Sequence, residues 1–143
     1  MNTHLSQEEF ENIYDKVPRL CVDLVIKNEL GILLALRSVE PYKDMWNLPG
    51  GTVYKGENIS ETAIRIAKLE TGLDVNPGKF IGYLEYFNEK RGEALVHTVS
   101  IVLDATVNGG ELQHDENTSE LKYFNELPEN LVEEQKDFLL KLK

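Results

Sequence analysis

The segment from Gly51 to Leu73, GTVYKGENISETAIRIAKLETGL, places a glutamate where a helix should carry an apolar residue. With a helix starting after Asn58 and turning about 100° per residue, Ile59, Ala63, Ile66 and Ala67 share one narrow stripe, and Glu70 falls near its centre. A carboxylate facing a core is costly unless a cation or hydrogen-bond donors compensate it. Just upstream, Pro49-Gly50-Gly51 reads as a tight backbone turn, a natural source of carbonyl oxygens for a hard metal ion. Glu70 is therefore the first candidate metal ligand, with the carbonyl of Gly50 beside it. Mg²⁺ suits such a site, since it accepts one or two carboxylates and fills the rest with waters and substrate phosphates. The bland alternative is a carboxylate at a frayed helix end, bound to backbone amides. Glu57 precedes the helix, where a negative charge is favourable for the macrodipole alone. Arg65 lies off the apolar stripe and by itself reads as a surface arginine.

The elements that must hold these residues follow from periodicity and turn chemistry. Ser6 and Glu9 form a capping-box pattern, and Phe10, Ile13 and Tyr14 give a short helix one apolar face. Arg19 to Lys27 reads as a strand, Asn28 to Gly31 as a turn, and Ile32 to Arg37 as the return strand. A polar loop, Ser38 to Met45, leads into Trp46–Gly51 and the helix, which stops at Gly72. Lys79 to Phe87 and Leu95 to Ala105 read as strands joined by a turn around Glu89–Gly92. Gly109-Gly110 reads as a loop and Leu121 to Phe124 as a short strand. Leu131, Gln135, Phe138, Leu139 and Leu142 indicate a closing helix begun near Asn130. This order predicts an α/β (α+β) fold, a mixed sheet packed between helices, with residues 1–143 forming one domain.

Composition narrows the function classes. A net charge of −10 with no basic stripe argues against a broad nucleic-acid surface. It leaves room for a small anionic ligand in a pocket that a metal and a few arginines make locally positive. No apolar run approaches the roughly 18 residues of a membrane span. The acidic, polar N-terminus is not a secretory signal, and a lone cysteine, Cys21, agrees with a reducing cytoplasm. The expectation is a cytoplasmic protein without membrane or nucleic-acid partners.

The segment also resembles the signature of the Nudix hydrolases: Gly, five residues, Glu, seven residues, then Arg-Glu-apolar-x-Glu-Glu-x-Gly-apolar. Gly51, Glu57, Arg65, Glu70, Gly72 and Leu73 fall in register without gaps, whereas Ile66 and Leu69 stand where the signature has glutamates. Typical members cleave a diphosphate at phosphorus and use several glutamates for two or three metal ions. The two losses imply a one-metal site.

The GDP-mannose mannosyl hydrolases are a subgroup that looks similar in keeping only the last glutamate. The resemblance extends to Gln7-Glu8-Glu9-Phe10, to Asp23 in LCVDLVIKN, to Gly31–Arg37 and to His97 in LVHTVSIVL. It implies a Nudix-type sheet sandwiched between helices, and Mg²⁺ (with Mn²⁺ as substitute) held by Glu70, Gly50 and, at the edge, Glu57. The substrate it implies is a nucleoside diphosphate sugar of the GDP-mannose or GDP-glucose type, with water attacking the anomeric carbon to release GDP and the sugar. Arg37, at the end of the strand LLALR, would then contact the diphosphate. Arg65 would be a structural or phosphate-side contact. Asp23 would bind sugar hydroxyls or pair with Arg37, and His97 would face substrate or pack against the sheet. For the general base the candidates are His114, in Gln113-His114, and Glu120, in SELKYF. The resemblance also implies a homodimer, for which the N-terminal helix is a contact surface. Two other readings stand beside this one: a pyrophosphohydrolase cleaving a P–O bond with Glu57, Glu70 and Glu120 serving the metal, and a nucleotide-sensing module with little turnover.

Overall fold

The computed structural model describes residues 5–142. Helix α1 (Gln7–Tyr14) opens on the capping box read from sequence: the Ser6 hydroxyl accepts from the Glu9 N–H while the Glu9 carboxylate accepts from the Ser6 N–H. Helix α2 (Ile59–Thr71) repeats the device with Asn58 and Glu61, and ends on Gly72 at φ 77°, a left-handed conformation suited to glycine. Helix α3 (Glu133–Leu140) closes the described chain close to the expected start.

Strand β1 (Arg19–Asn28) is central. It runs parallel to β6 (Ala94–Gly110) and antiparallel to β4 (Gly50–Thr52) and, at its far end, to β2 (Gly31–Arg37). β2 in turn pairs antiparallel with β3 (Trp46–Asn47) and β7 (Thr118–Phe124). β5 (Leu73–Arg91) forms the edge beyond β6, antiparallel to it.

The second half of the sheet departs from the expected boundaries. The strands expected at Lys79–Phe87 and Leu95–Ala105 are the middles of β5 and β6, and Gly109-Gly110, expected as a loop, ends β6 opposite Leu73 and Asp74. The expected Leu121 strand begins earlier, at Thr118. The reason is position: β5 pairs on one side only, so its free edge tolerates Pro77, and bulges between Pro77 and Gly82 absorb the breaks in alternation that hide it in sequence.

Both faces of the sheet are covered. Val22, Leu24 and Ile26 of β1 pack with Leu103 and Ala105 of β6 against Ala63, Ile66 and Ala67 of α2. On the other side Val25, Leu34, Trp46, Leu84 and Val102 pack with Leu131, Val132 and Leu139. β1 thus buries both faces of its centre, as a strand covered by helices must. Beyond that apolar centre its residues Arg19, Cys21 and Asp23 line a cavity of about 510 Å³.

Candidate metal and substrate site

Glu70, the last glutamate of α2, reaches the β4 turn. The Gly50 N–H donates to its Oε1 at 3.1 Å. Part of the side chain still touches the cavity, but burial pushes its carboxyl up to about 8. The Gly50 amide works against that shift, nearby Asp115 adds to it and Arg37 counters it. A carboxylate held neutral by burial and a like charge is primed for a cation. Gly50 pairs with Asp23 across β4 and β1, and a Cβ there would collide with the Asp23 carboxylate, so the site requires glycine. Among the described residues no three His, Cys, Asp or Glu side chains cluster as a metal cage. The Glu70 carboxylate and the Gly50 carbonyl are oxygen donors of the kind that fit a hard divalent ion, which would take its remaining ligands from water and substrate phosphates.

Asp23 is buried beside this turn. Tyr86 on β5 donates its hydroxyl to Asp23 Oδ2 at 2.9 Å, Gln135 on α3 donates Nε2 to that hydroxyl at 3.0 Å, and the Leu48 N–H donates to Gln135 Oε1 at 2.7 Å. Burial pushes the Asp23 carboxyl up to about 6 even against the Tyr86 hydrogen bond. Arg37 lines the same cavity with Nε on the Pro41 carbonyl, so no Asp23–Arg37 ion pair forms. Burial lowers its pKa, while Glu70 and Asp115 hold it up.

Glu57 is placed as the partner of Arg65. Its two oxygens accept Arg65 Nε at 2.7 Å and Nη2 at 3.0 Å, the Tyr54 N–H at 2.9 Å and the Thr62 hydroxyl at 2.9 Å. The Arg65 hydrogen bond leads these in holding Glu57 down at about 2. Arg65 also donates to the Thr52 carbonyl at 2.7 Å and stacks over the Tyr54 ring. The pair staples the loop after β4 to α2.

The two apolar replacements in the Nudix signature differ in kind. Both line the cavity, but Ile66 is 1% exposed and also packs within the α2 core, its Cδ1 beneath Gly51, whereas Leu69 is half-buried.

Other sequence candidates fall elsewhere. His97 stacks on Phe87 at 4.6 Å with Glu85 at 3.8 Å, and does not line the cavity. His114 is exposed in the loop before β7, its Nδ1 on the Asp115 carbonyl, and lines a separate depression with Lys68, Leu69 and Gly72. Glu120 is exposed on β7 opposite Leu36. From this late loop it is Asp115 whose charge reaches both Glu70 and Arg37.

Sequence reading missed the other end of the cavity. Arg19, Glu89 and Arg91 converge there, with Arg19 7% and Glu89 5% exposed. The alternation Arg19-Cys21-Asp23 was the available signal, while Glu89 and Arg91 sit in a run, NEKRGE, that looks like a solvated turn.

Residues 17–142 match the family model described as the NUDIX domain. The chain belongs to the Nudix hydrolase family. Among curated relatives of this Nudix chain, it is 35% identical over 125 residues to the low-salt glycan biosynthesis protein Agl8 of Haloferax volcanii, covering 85% of this chain and 80% of that protein. It is equally 35% identical over 122 residues to the ADP-ribose pyrophosphatase of Methanocaldococcus jannaschii, covering 83% and 70%. Its fold matches the MutT NUDIX hydrolase of Burkholderia pseudomallei with a TM-score of 0.79 and 25% identity, over 90% of this chain and all of that one.

Proposed function

We propose that this Nudix hydrolase acts on a nucleoside diphosphate sugar of the GDP-mannose or GDP-glucose type, with water attacking the anomeric carbon to release the nucleoside diphosphate and free sugar. The observation that carries this reading is that Ile66 and Leu69, both apolar, line the cavity at the signature's other carboxylate positions and leave Glu70 as the one glutamate of that set. A single divalent ion, Mg²⁺ or Mn²⁺, on Glu70 and the Gly50 carbonyl supplies charge stabilisation for a diphosphate leaving group.

In this reading Arg37 binds the diphosphate and neutralises part of the charge that develops as the sugar C–O bond breaks and its electron pair passes to the phosphate oxygen. Asp23, held by Tyr86 and Gln135, orients sugar hydroxyls. The proton of the attacking water goes to a late-loop side chain, for which His114 and Glu120 are the candidates. Arg65 and Glu57 hold the loop in place. The glycan-biosynthesis name of one relative agrees with a sugar-linked substrate. A second reading, hydrolysis of a P–O bond, is favoured by the pyrophosphatase name of the other.

The proposal includes a cytoplasmic homodimer. Exposed Leu20, Tyr83, Phe87 and Leu95 on the sheet support a covered surface, which sedimentation or size-exclusion measurement tests. No helix among the described residues is long and apolar enough to cross a membrane.

Incubation with Mg²⁺ and a nucleotide-sugar panel in ¹⁸O-water tests the chemistry. Labelled sugar with unlabelled nucleoside diphosphate supports attack at carbon. Nucleoside monophosphate plus sugar phosphate, with label on phosphate, overturns it in favour of the second reading.

A further inference from the structure

Arg37 sits at the neck of a closed loop, and that loop holds its side chain. Its N–H donates to the Met45 carbonyl at 3.0 Å and its carbonyl accepts the Asp44 N–H at 2.9 Å, so the two ends of the loop 38–44 meet at Arg37. At the tip the chain folds back, and the Pro41 carbonyl accepts Arg37 Nε. That bond fixes the guanidinium at the cavity wall, to which Val39, Glu40 and Pro41 also contribute. The two terminal nitrogens of Arg37 make no hydrogen bond among the described residues, which leaves the paired donors that suit a phosphate open.

The direction of the Pro41 carbonyl depends on the next residue. A planar peptide turns only with the ψ before it and the φ after it, and Tyr42 has φ 65°. An ordinary negative φ at Tyr42 would rotate that peptide by more than about 120° and take the carbonyl off Arg37. A Cβ makes the left-handed conformation costly, and Asp44 adds a second such residue at φ 66°. Contacts outside the loop hold both in place. The half-buried Tyr42 ring packs against the core cluster of Trp46, Leu131 and Leu139, and its hydroxyl lies against Glu89. Asn130 Nδ2 donates to the Asp44 carbonyl at 3.0 Å. Backbone held in such a state by its surroundings is characteristic of functional sites.

We infer that Tyr42 is a positioning residue for diphosphate binding: its left-handed backbone, anchored by its ring, aims the Pro41 carbonyl that orients Arg37. This rests on the reading of Arg37 as the diphosphate ligand and adds a residue to it. Tyr42 does not line the cavity, so it acts through Arg37. A guanidinium already held in its binding orientation loses less freedom when the diphosphate arrives.

The test is a double-mutant cycle. The probe is α,β-methylene GDP, whose bridged diphosphate resists hydrolysis, titrated calorimetrically in Mg²⁺. It is titrated into wild type, Tyr42→Asn, Tyr42→Phe and Asn130→Ala, and into each of these with Arg37→Ala added. Asparagine tolerates a left-handed backbone but lacks the ring, whereas phenylalanine keeps the ring. Asn130→Ala removes the second anchor at an exposed position and serves the same comparison if Tyr42→Asn does not fold. Tyr42→Asn should weaken binding about 10-fold, Asn130→Ala about 3-fold, and Tyr42→Phe by less than about 2-fold. With Arg37→Ala present these changes should have no further effect, a coupling that a merely structural role would not produce. Weakening that is absent, or that is equal with and without the Arg37 side chain, overturns the role of Tyr42 and leaves the nucleotide reading standing. A loss in Tyr42→Phe as large as in Tyr42→Asn overturns the ring as the anchor. Wild-type binding unchanged by Arg37→Ala overturns the assignment of Arg37 and the inference together, and a wild type that does not bind the probe removes the nucleotide reading beneath both.

Discussion

The hydroxyl of Tyr86 donates to the buried carboxylate of Asp23 at 2.9 Å, tying the edge strand of the sheet to its central strand inside the cavity. Through Gln135 and the Leu48 amide the same chain of donors continues into α3 and the segment before Gly50. A polar residue carried on β1 is thus fixed by three distant parts of the sequence, and burial keeps its carboxyl up at about 6.

That raised pKa makes Asp23 a stability cost above its titration range. The folded state holds the proton more tightly than the unfolded chain, so this contribution is fully present below about pH 4 and is lost as pH rises through 6. Asp23→Asn keeps an acceptor for Tyr86 and removes the buried charge. It should stabilise the protein by about 1–3 kcal/mol at pH 8, with a smaller gain at pH 5, while turnover falls. Denaturant melts at the two pH values check this, and a variant less stable than wild type at pH 8 would sink the assignment of Asp23 as a strained functional carboxylate.

The Glu57–Arg65 pair has the opposite sign. Glu57 is held down at about 2, so its contribution is present above the ordinary carboxylate range and disappears as pH falls from about 4.5 through 2. Both side chains keep some solvent contact, which reduces the value of the pair. Glu57→Gln should cost about 1–2 kcal/mol at pH 7 and flatten the acid limb of the stability curve. An unchanged acid midpoint would show that the pair does not staple the loop.

Metal binding should report on Glu70. With its carboxyl pushed up to about 8, the ion must displace a proton at neutral pH. Mg²⁺ affinity is expected to rise about 10-fold per pH unit from pH 6 toward 8 and then level off. EDTA should lower the wild-type melting temperature from its value in saturating Mg²⁺, and Glu70→Gln should abolish that difference. Calorimetry showing tight, pH-independent binding to the glutamine variant would move the metal elsewhere.

Leu69 and Ile66 should respond differently to restoring the signature's glutamates. Ile66→Glu buries a charge in the α2 core and is expected to cost about 3 kcal/mol or more, enough to unfold much of the protein. Leu69 is half-buried at the cavity wall, so Leu69→Glu should fold and add a second carboxylate near Glu70. Circular dichroism separates the two, and product analysis of the folded variant shows whether an added carboxylate brings attack at phosphorus.

Local chemistry made much of this legible in the sequence. The cap at Ser6, the start of α2 after Asn58, the stop at Gly72, the stripe of α2 and the outlying Glu70 all depend on residues within a few turns of one another, and all appear in the structure where the pattern put them. Tertiary structure decided what periodicity cannot carry. Only the parallel register of β1 against β6, and the antiparallel register of β6 against β5, bring Arg19 beside Thr98 and its partner Glu89, and set Arg91 with them. The same packing turned His97 onto Phe87 and set His114 and Glu120 at exposed positions that do not line the cavity. Charges interact through space in a low-dielectric cavity, and which of them share it depends on strand pairing between residues some seventy positions apart.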